Sequence, residues 1–247
     1  MIPKKIHYCW FGKNKFSEET KCYIKSWEKY MPDYELILWN EDNCNININD
    51  YVREAYEMKK YAFVSDFFRL YILYTEGGIY LDTDVEVIEN FDELIINKAF
   101  IGYQEPGILN TGTIGAEQNH PWIKTLLNYY KDRKFILEDG KLDNKANTDF
   151  ITKLTDKMYG LKTDKDFFVN SKEIKIYPIS YLCANSWISG KKIIDENTYS
   201  IHHFQASWVD NTNIRSKVKT NIRRFIIFFM GEKYFTLIKN RLIRIKN

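Results

Sequence analysis

The sequence predicts an α/β fold built on a mostly parallel central sheet, and three stretches carry the prediction. Residues 2–39 read strand, helix, strand; residues 61–87 read helix, two-glycine turn, strand; and that later strand runs into Asp82-Thr83-Asp84. Strands joined through helices are β-α-β steps, whose sheets bind ligands beyond the carboxyl ends of their strands. A chain of 247 residues is expected to form one domain with a sizeable core and room for an appendage.

Taken in order, Ile2 to Trp10 is the first strand and Gly12 turns the chain at the ligand-binding edge. His7 is expected to pack or hydrogen-bond within the strand, while Trp10 reads both as core and as a stacking surface at that edge. Ser17 caps a helix to about Tyr30, with Glu18 and Glu19 favourable in its first turn. Pro32-Asp33 breaks that helix, and Tyr34 to Trp39 is the second strand. Asn40 to Asn49 is a polar loop, followed by a helix from about Asp50 to Lys60. Phe63, Phe67, Leu70, Leu73 and Tyr74 then recur at helical spacing and give the next helix a buried stripe. Gly77 or Gly78 ends it in the left-handed conformation of a C-terminal cap, and Ile79 to Leu81 is a short apolar strand. Val85 to Val87, Phe100 to Tyr103, Leu109 to Ala116 and Ile176 to Ile179 are further strands. Helices start at His120-Pro121 and at Asn147-Thr148-Asp149, and Tyr181 to Gly190 is a loop bearing Trp187. The small residues and Asn110 of LNTGTIGA suit either close backbone approach to a ligand or a glycine-rich turn beside the sheet.

The chemistry concentrates in two places. Carboxylates one residue apart repel, and each raises the other's pKa unless a cation lies between them. A divalent metal removes the conflict, and hard oxygen ligands suit Mg²⁺ or Mn²⁺, which complete their shells with water and phosphate oxygens. Asp-x-Asp also occurs in plain solvated turns; here it follows a Gly-Gly turn and a buried strand, with Asp66 and Arg69 on one face of the preceding helix. The second place is Tyr199 to Trp208, where His202 and His203 are adjacent. Neighbouring residues on a strand point to opposite faces, so at most one of these imidazoles reaches a given metal, and which one stays open.

Ser65-Asp66-x-x-Arg69, followed by Gly77-Gly78-Ile79-Tyr80-x-Asp82-Thr83-Asp84, closely resembles the sugar-nucleotide site of family 32 glycosyltransferases. These are yeast mannosyltransferase-like and bacterial capsular-polysaccharide enzymes, distantly related to the glucosylating clostridial toxins. The resemblance spans most of residues 1–210 and implies a GT-A-like, Rossmann-related catalytic domain over residues 1–213. It implies a retaining, metal-dependent transfer of a hexose from a UDP-sugar, UDP-galactose or UDP-glucose, to a hydroxyl of a saccharide acceptor. The implied cofactor is Mn²⁺ or Mg²⁺, held by Asp84 with His202 or His203, while Asp82 bonds the ribose or bridges through water. Asp66 and Arg69 would fix the ribose and a phosphate oxygen, and Trp10 would stack on the base. Ser207 would bond phosphate or metal, and Trp208 would close over the donor. Asp149 is either a plain helix cap or a residue facing the reacting sugar. No other carboxylate stands out as a nucleophile, so front-face attack is the expected route and Asp149 the fallback. A lipid-linked oligosaccharide of capsular or exopolysaccharide assembly is the implied acceptor.

Composition bounds the rest. Apolar content of 45% and charged content of 28% are ordinary for a globular chain. Cys9, Cys22, Cys44 and Cys183 are scattered, which points to buried reduced thiols rather than disulfides or zinc. The sequence opens directly on a strand-like run and holds no stretch near the ~20 apolar residues of a membrane span, so a cytosolic location is expected. Residues 214–247 carry a net +9 and residues 1–213 a net −6. That basic tail reads as an amphipathic helical extension, docked on an anionic membrane surface or packed on the catalytic domain. Nucleic acid is not an expected partner, because the body is acidic and no binding motif occurs. Two other classes compete with transfer: a sugar-nucleotide-binding or hydrolysing relative, and a membrane-docked assembly component. Intact Asp82 and Asp84 speak against an inactive relative.

Overall fold

The structure is a computed structural model and describes residues 1–161 and 169–205. Ser207, Trp208 and the basic tail 214–247 lie outside the described residues. In chain order the elements are β1 (Lys5–Cys9), α1 (Glu18–Tyr30), β2 (Glu35–Trp39), α2 (Asp50–Glu57), α3 (Tyr61–Glu76), β3 (Gly78–Leu81), β4 (Val85–Val87), β5 (Ala99–Glu105) and β6 (Ile108–Ala116). They continue with α4 (Pro121–Asn128), α5 (Asn147–Tyr159), β7 (Val169–Asn170), β8 (Lys175–Tyr177), α6 (Ile179–Leu182) and β9 (Ser200–His202).

The central sheet has seven strands in the order β2-β1-β3-β6-β5-β8-β7. Strands β1, β2, β3, β5 and β8 run one way, and only β6 and β7 oppose them, so the sheet is mostly parallel as expected. The antiparallel members come from connections too short for a crossover: β5 and β6 form a hairpin around Gly107, whose φ is 73°. β4 leaves the sheet and pairs antiparallel with β9, forming a two-stranded ribbon on α1. The Trp27 indole donates to Val85 O at 2.8 Å, and Ser26 Oγ accepts from Val87 N at 3.0 Å, which ties ribbon to helix.

Local chemistry explains the boundaries. Ser17 Oγ accepts from Thr20 N and starts α1; Asn49 Oδ1 does the same for Val52 N at α2. His120 caps α4 with Pro121 in its first turn. Gly77, at φ 65°, closes α3 by donating its N–H to Leu73 O. A side chain at Gly78 would meet the His7 imidazole 2.8 Å away. All four residues of β3 are buried, and they alternate between two cores. Tyr80 joins the core that α2, α3, α4 and α5 build on one face. Ile79 and Leu81 join the core that α1 and the ribbon build on the other. Arg69 is the exception among the buried residues of α3, a charge 5% exposed. Among buried residues such a charge persists only when paired. Cys9, Cys44 and Cys183 are buried free thiols as expected, whereas Cys22 is exposed. No described helix is long and apolar enough to cross a membrane.

Candidate metal and sugar-nucleotide site

Asp82 follows the last residue of β3 and keeps its backbone in the ladder, donating to Gly112 O at 2.8 Å. Val85 N then donates back to Asp82 O at 3.0 Å, so Asp82-Thr83-Asp84-Val85 is a tight turn between β3 and β4. That turn presents both carboxylates beyond the sheet edge. The register Val85↔His202 brings β9 alongside and sets His202 beside Asp84, with Nε2 3.2 Å from Asp84 Oδ1. One ligand atom from each of Asp82, Asp84 and His202 lies within 4.8 Å of the other two.

His203 points the other way, as its neighbour on a strand must. Its Nε2 meets Glu86 Oε2 at 2.8 Å and its ring stacks on Tyr23, with centroids 4.6 Å apart. Of the two histidines between which the sequence leaves the choice open, it is His202 that faces the aspartates among the described residues, because the β4–β9 register turns His203 onto α1.

His202 is held on every side. Asn110 Oδ1 accepts from His202 Nδ1 at 3.0 Å and from Gly112 N at 3.0 Å, so Nδ1 is a donor and Nε2 is aimed at Asp84. Phe204 stacks on the imidazole with centroids 4.1 Å apart, and a side chain at Gly112 would meet His202 Cε1 at 2.7 Å. Burial alone would depress the imidazolium; the Asp84 carboxylate outweighs it and lifts the pKa to about 10. Burial would likewise raise Asp84, yet His202, together with Gln205 N donating to Oδ2 at 2.9 Å, holds it below the usual carboxylate range.

Arg69 organises the other half. Its Nη2 lies 2.8 Å from Asp66 Oδ1 and 3.3 Å from Asp82 Oδ1, while Nη1 donates to Thr111 O at 2.6 Å and reaches Asp82 Oδ2 at 3.4 Å. The guanidinium stacks on Tyr80, whose hydroxyl donates to Asp82 Oδ1 at 3.0 Å. Desolvation works against the charge, but Asp82 foremost keeps Arg69 ionised. Both terminal nitrogens thereby fix two carboxylates, while Arg69 Nε is buried without a hydrogen-bond partner among the described residues. Asp66 is pushed up to about 6 by burial, against the pull of Arg69. It also accepts from Asn147 Nδ2 at 2.8 Å, and Asn147 Oδ1 accepts from Thr111 Oγ1 at 3.1 Å.

Asn147 is thus a site residue that sequence reasoning treated only as the start of a helix. It is the first residue of α5, buried, with Ala146 in the capping position. Asp149 is exposed in the first turn and takes no part in the hydrogen bonds of the cluster. Trp10 follows β1, partly buried, with its indole donating to Asn14 O at 2.6 Å and its ring 4.7 Å from that of Phe16. The only advance signal for Asn110 and Gly112 was the small-residue run of β6.

The donor set suits a divalent cation: two carboxylates and one imidazole converge, and the imidazole favours Mn²⁺ over Mg²⁺. The pull of Asp84 favours the imidazolium at His202, so a metal ion binding at Nε2 displaces a proton.

Residues 17–101 match the family described as "Glycosyltransferase sugar-binding region containing DXD motif". Inositol phosphoceramide mannosyltransferase 3 of Schizosaccharomyces pombe is 32% identical over 126 residues, which span 49% of this chain and 35% of that protein. The initiation-specific alpha-1,6-mannosyltransferase of Candida albicans is 31% identical over 110 residues, 40% of this chain and 29% of that protein. The chain thus spans about a third of the length of these curated relatives. Among solved structures, the PaToxG glycosyltransferase superposes with a TM-score of 0.47 at 22% identity, covering 64% of this chain and 70% of that one.

Proposed function

With residues 17–101 a glycosyltransferase sugar-binding region of the DXD type, we propose that this chain is a metal-dependent, retaining hexosyltransferase. The donor is a UDP-hexose, UDP-galactose or UDP-glucose, and the acceptor a saccharide hydroxyl. The observation that carries this reading is the convergence of Asp82, Asp84 and His202 on one point beyond β3. Those three residues would hold the cation, Mn²⁺ before Mg²⁺. A divalent ion there supplies Lewis-acid neutralisation of the charge developing on the departing diphosphate.

The protein groups do the rest. Arg69 positions Asp66 and Asp82, Asp66 receives the ribose with Asn147 behind it, and Trp10 offers a face to the base. Front-face attack is the route: the new C1–O bond forms as the C1–O bond to the diphosphate breaks, and the acceptor proton passes to the leaving phosphate oxygen. Asp149 is exposed and makes no hydrogen bond to the cluster, which favours this over a covalent intermediate on that residue. Residues 1–213 form the catalytic domain, with Ser207 and Trp208 closing over the donor. Residues 214–247 dock it on an anionic membrane bearing a lipid-linked acceptor of capsular or exopolysaccharide assembly; the support there is charge alone.

The test is a thermal-shift series with Mn²⁺ and UDP, GDP, CMP or dTDP, repeated on Asp84→Ala. Ligand at 100 times its Kd adds about 2.7 kcal/mol, a visible rise in Tm. A Mn²⁺-dependent rise with UDP alone, lost in Asp84→Ala, supports the proposal. A rise with GDP instead moves the donor toward the mannose named in both relatives, and no rise with any nucleotide overturns the reading.

A further inference from the structure

Glu41 lies two residues past β2, partly buried, and none of the site chemistry above uses it. Its Oε1 accepts from Gly12 N at 2.7 Å and from the Tyr56 hydroxyl at 3.0 Å. Burial works to raise its pKa, but those two bonds and its own N–H outweigh burial and hold Glu41 below the usual carboxylate range. An ionised acceptor makes stronger hydrogen bonds than a neutral one. The carboxylate therefore grips the turn between β1 and α1 from outside that turn.

The segment that carries Glu41 is itself held. Asn40 Oδ1 accepts from Asp42 N at 2.8 Å, Asn40 O accepts from Cys44 N at 2.9 Å, and the Asn43 amide donates to Leu38 O at 2.8 Å. Gly12 also lies close on the Tyr61 ring, which a side chain at that position would strike. The gripped turn is one that backbone preference does not supply: Gly12 has φ 92° and Lys13, which carries a Cβ, has φ 58°. Positive φ in a residue other than glycine costs free energy and persists where surrounding contacts impose it. Both ends of the turn hold Trp10. Its N–H donates to Trp39 O at 2.9 Å, and its indole donates to Asn14 O at 2.6 Å. Gly12 stands midway between the residue that bears the ring and the residue that fixes it.

We propose that Glu41 is a positioning residue for the nucleotide base, setting through the β1–α1 turn the angle at which the Trp10 indole meets it; this rests on the transferase reading above. Among the described residues its side-chain hydrogen bonds go to Gly12 and Tyr56, not to Asp82, Asp84 or His202, around which the cation and diphosphate would bind. Loss of Glu41 should therefore weaken a ligand that carries a base and spare one that carries only the diphosphate.

The experiment is isothermal titration calorimetry of the full-length protein in Mn²⁺, with UDP and inorganic pyrophosphate as the probes. Glu41→Ala should weaken UDP about tenfold, within the worth of one base–aromatic stack, and leave pyrophosphate unchanged. Glu41→Gln keeps an oxygen acceptor and should recover most of the loss, while Tyr56→Phe should weaken UDP by less than Glu41→Ala does. Glu41→Ala combined with Trp10→Ala should bind UDP no worse than Trp10→Ala alone, because both act through one contact. Additive losses, an equal loss of pyrophosphate, or wild-type UDP affinity in Glu41→Ala would overturn the proposal. If Glu41→Ala does not fold, Tyr56→Phe decides: weakened UDP with pyrophosphate spared supports the proposal, and unchanged UDP overturns it. Wild-type protein that binds no UDP fails the transferase reading and the role of Glu41 together. Firm wild-type UDP binding with additive losses removes the role of Glu41 alone.

Discussion

His7 illustrates how much a single side chain settles in this fold. Its Nδ1 accepts from the Trp39 indole at 3.1 Å, and its Nε2 bonds Gly77 O at 2.8 Å, so one neutral imidazole joins β1, β2 and the α3–β3 turn. Burial depresses its pKa from 6.5 to about 4. Between those two values the unfolded chain binds a proton that the folded chain refuses, so stability rises with pH across that window and is fully present above pH 6.5. The swing is about 3 kcal/mol. Urea midpoints of the wild type should fall as pH drops from 7 to 4.5, and His7→Phe should flatten that limb while lowering stability throughout. A wild-type slope unaltered in His7→Phe would assign the acid sensitivity elsewhere. Arg69 allows a sharper statement. Arg69→Met leaves Asp66 and Asp82 facing each other without a cation and should cost about 3–5 kcal/mol in urea unfolding. Saturating Mn²⁺ should restore part of that loss, because a metal at Asp82 replaces some of the missing charge.

At the scale of elements, three segments build the candidate cation site: the β3–β4 turn supplies the carboxylates, β9 the imidazole, and β6 the surface that holds it. The contribution of β6 can be tested alone. Gly112→Ala inserts a methyl 2.7 Å from His202 Cε1 and 3.2 Å from Asn110 Oδ1, while Phe204 blocks retreat on the other side. Mn²⁺ affinity, measured by electron paramagnetic resonance of the free ion, should fall at least tenfold, as expected when the groups that orient a metal-binding imidazole are displaced. Asn110→Ala should act in the same direction, since it frees the Nδ1 side of His202. Unchanged Mn²⁺ binding in both variants would remove His202 from the ligand set. Metal uptake at pH 7 should also release about one proton, seen as a buffer-dependent enthalpy in calorimetry, because His202 is protonated when it faces Asp84 alone.

At the scale of the whole molecule, the charge split between an acidic body and a basic tail makes a separate prediction. Full-length protein with five tail residues reversed, Lys217, Lys219, Arg223, Arg224 and Lys233 each to Glu, should lose co-sedimentation with phosphatidylglycerol vesicles at 50 mM salt and keep its UDP-induced thermal shift. Retained vesicle binding would place any lipid contact outside the tail. The sequence by itself determined the order and type of the main elements, the cap at Ser17, the stop at Gly77 and the position of the paired aspartates. Those features depend on residues a few positions apart, where spacing and backbone preference decide. What tertiary structure alone decided lies further apart in the chain. The choice of His202 over His203 needed the β4–β9 register; the link from Asn110 to His202 spans 92 positions, and that from Asn147 to Asp66 spans 81. Arg69 was legible as a site residue but not as a strut, because nothing local says that Asp82 and Thr111 will occupy its fork. Such contacts exist only once two hydrophobic cores have closed on the sheet and brought distant polar groups to one edge, where burial leaves them no partner but each other.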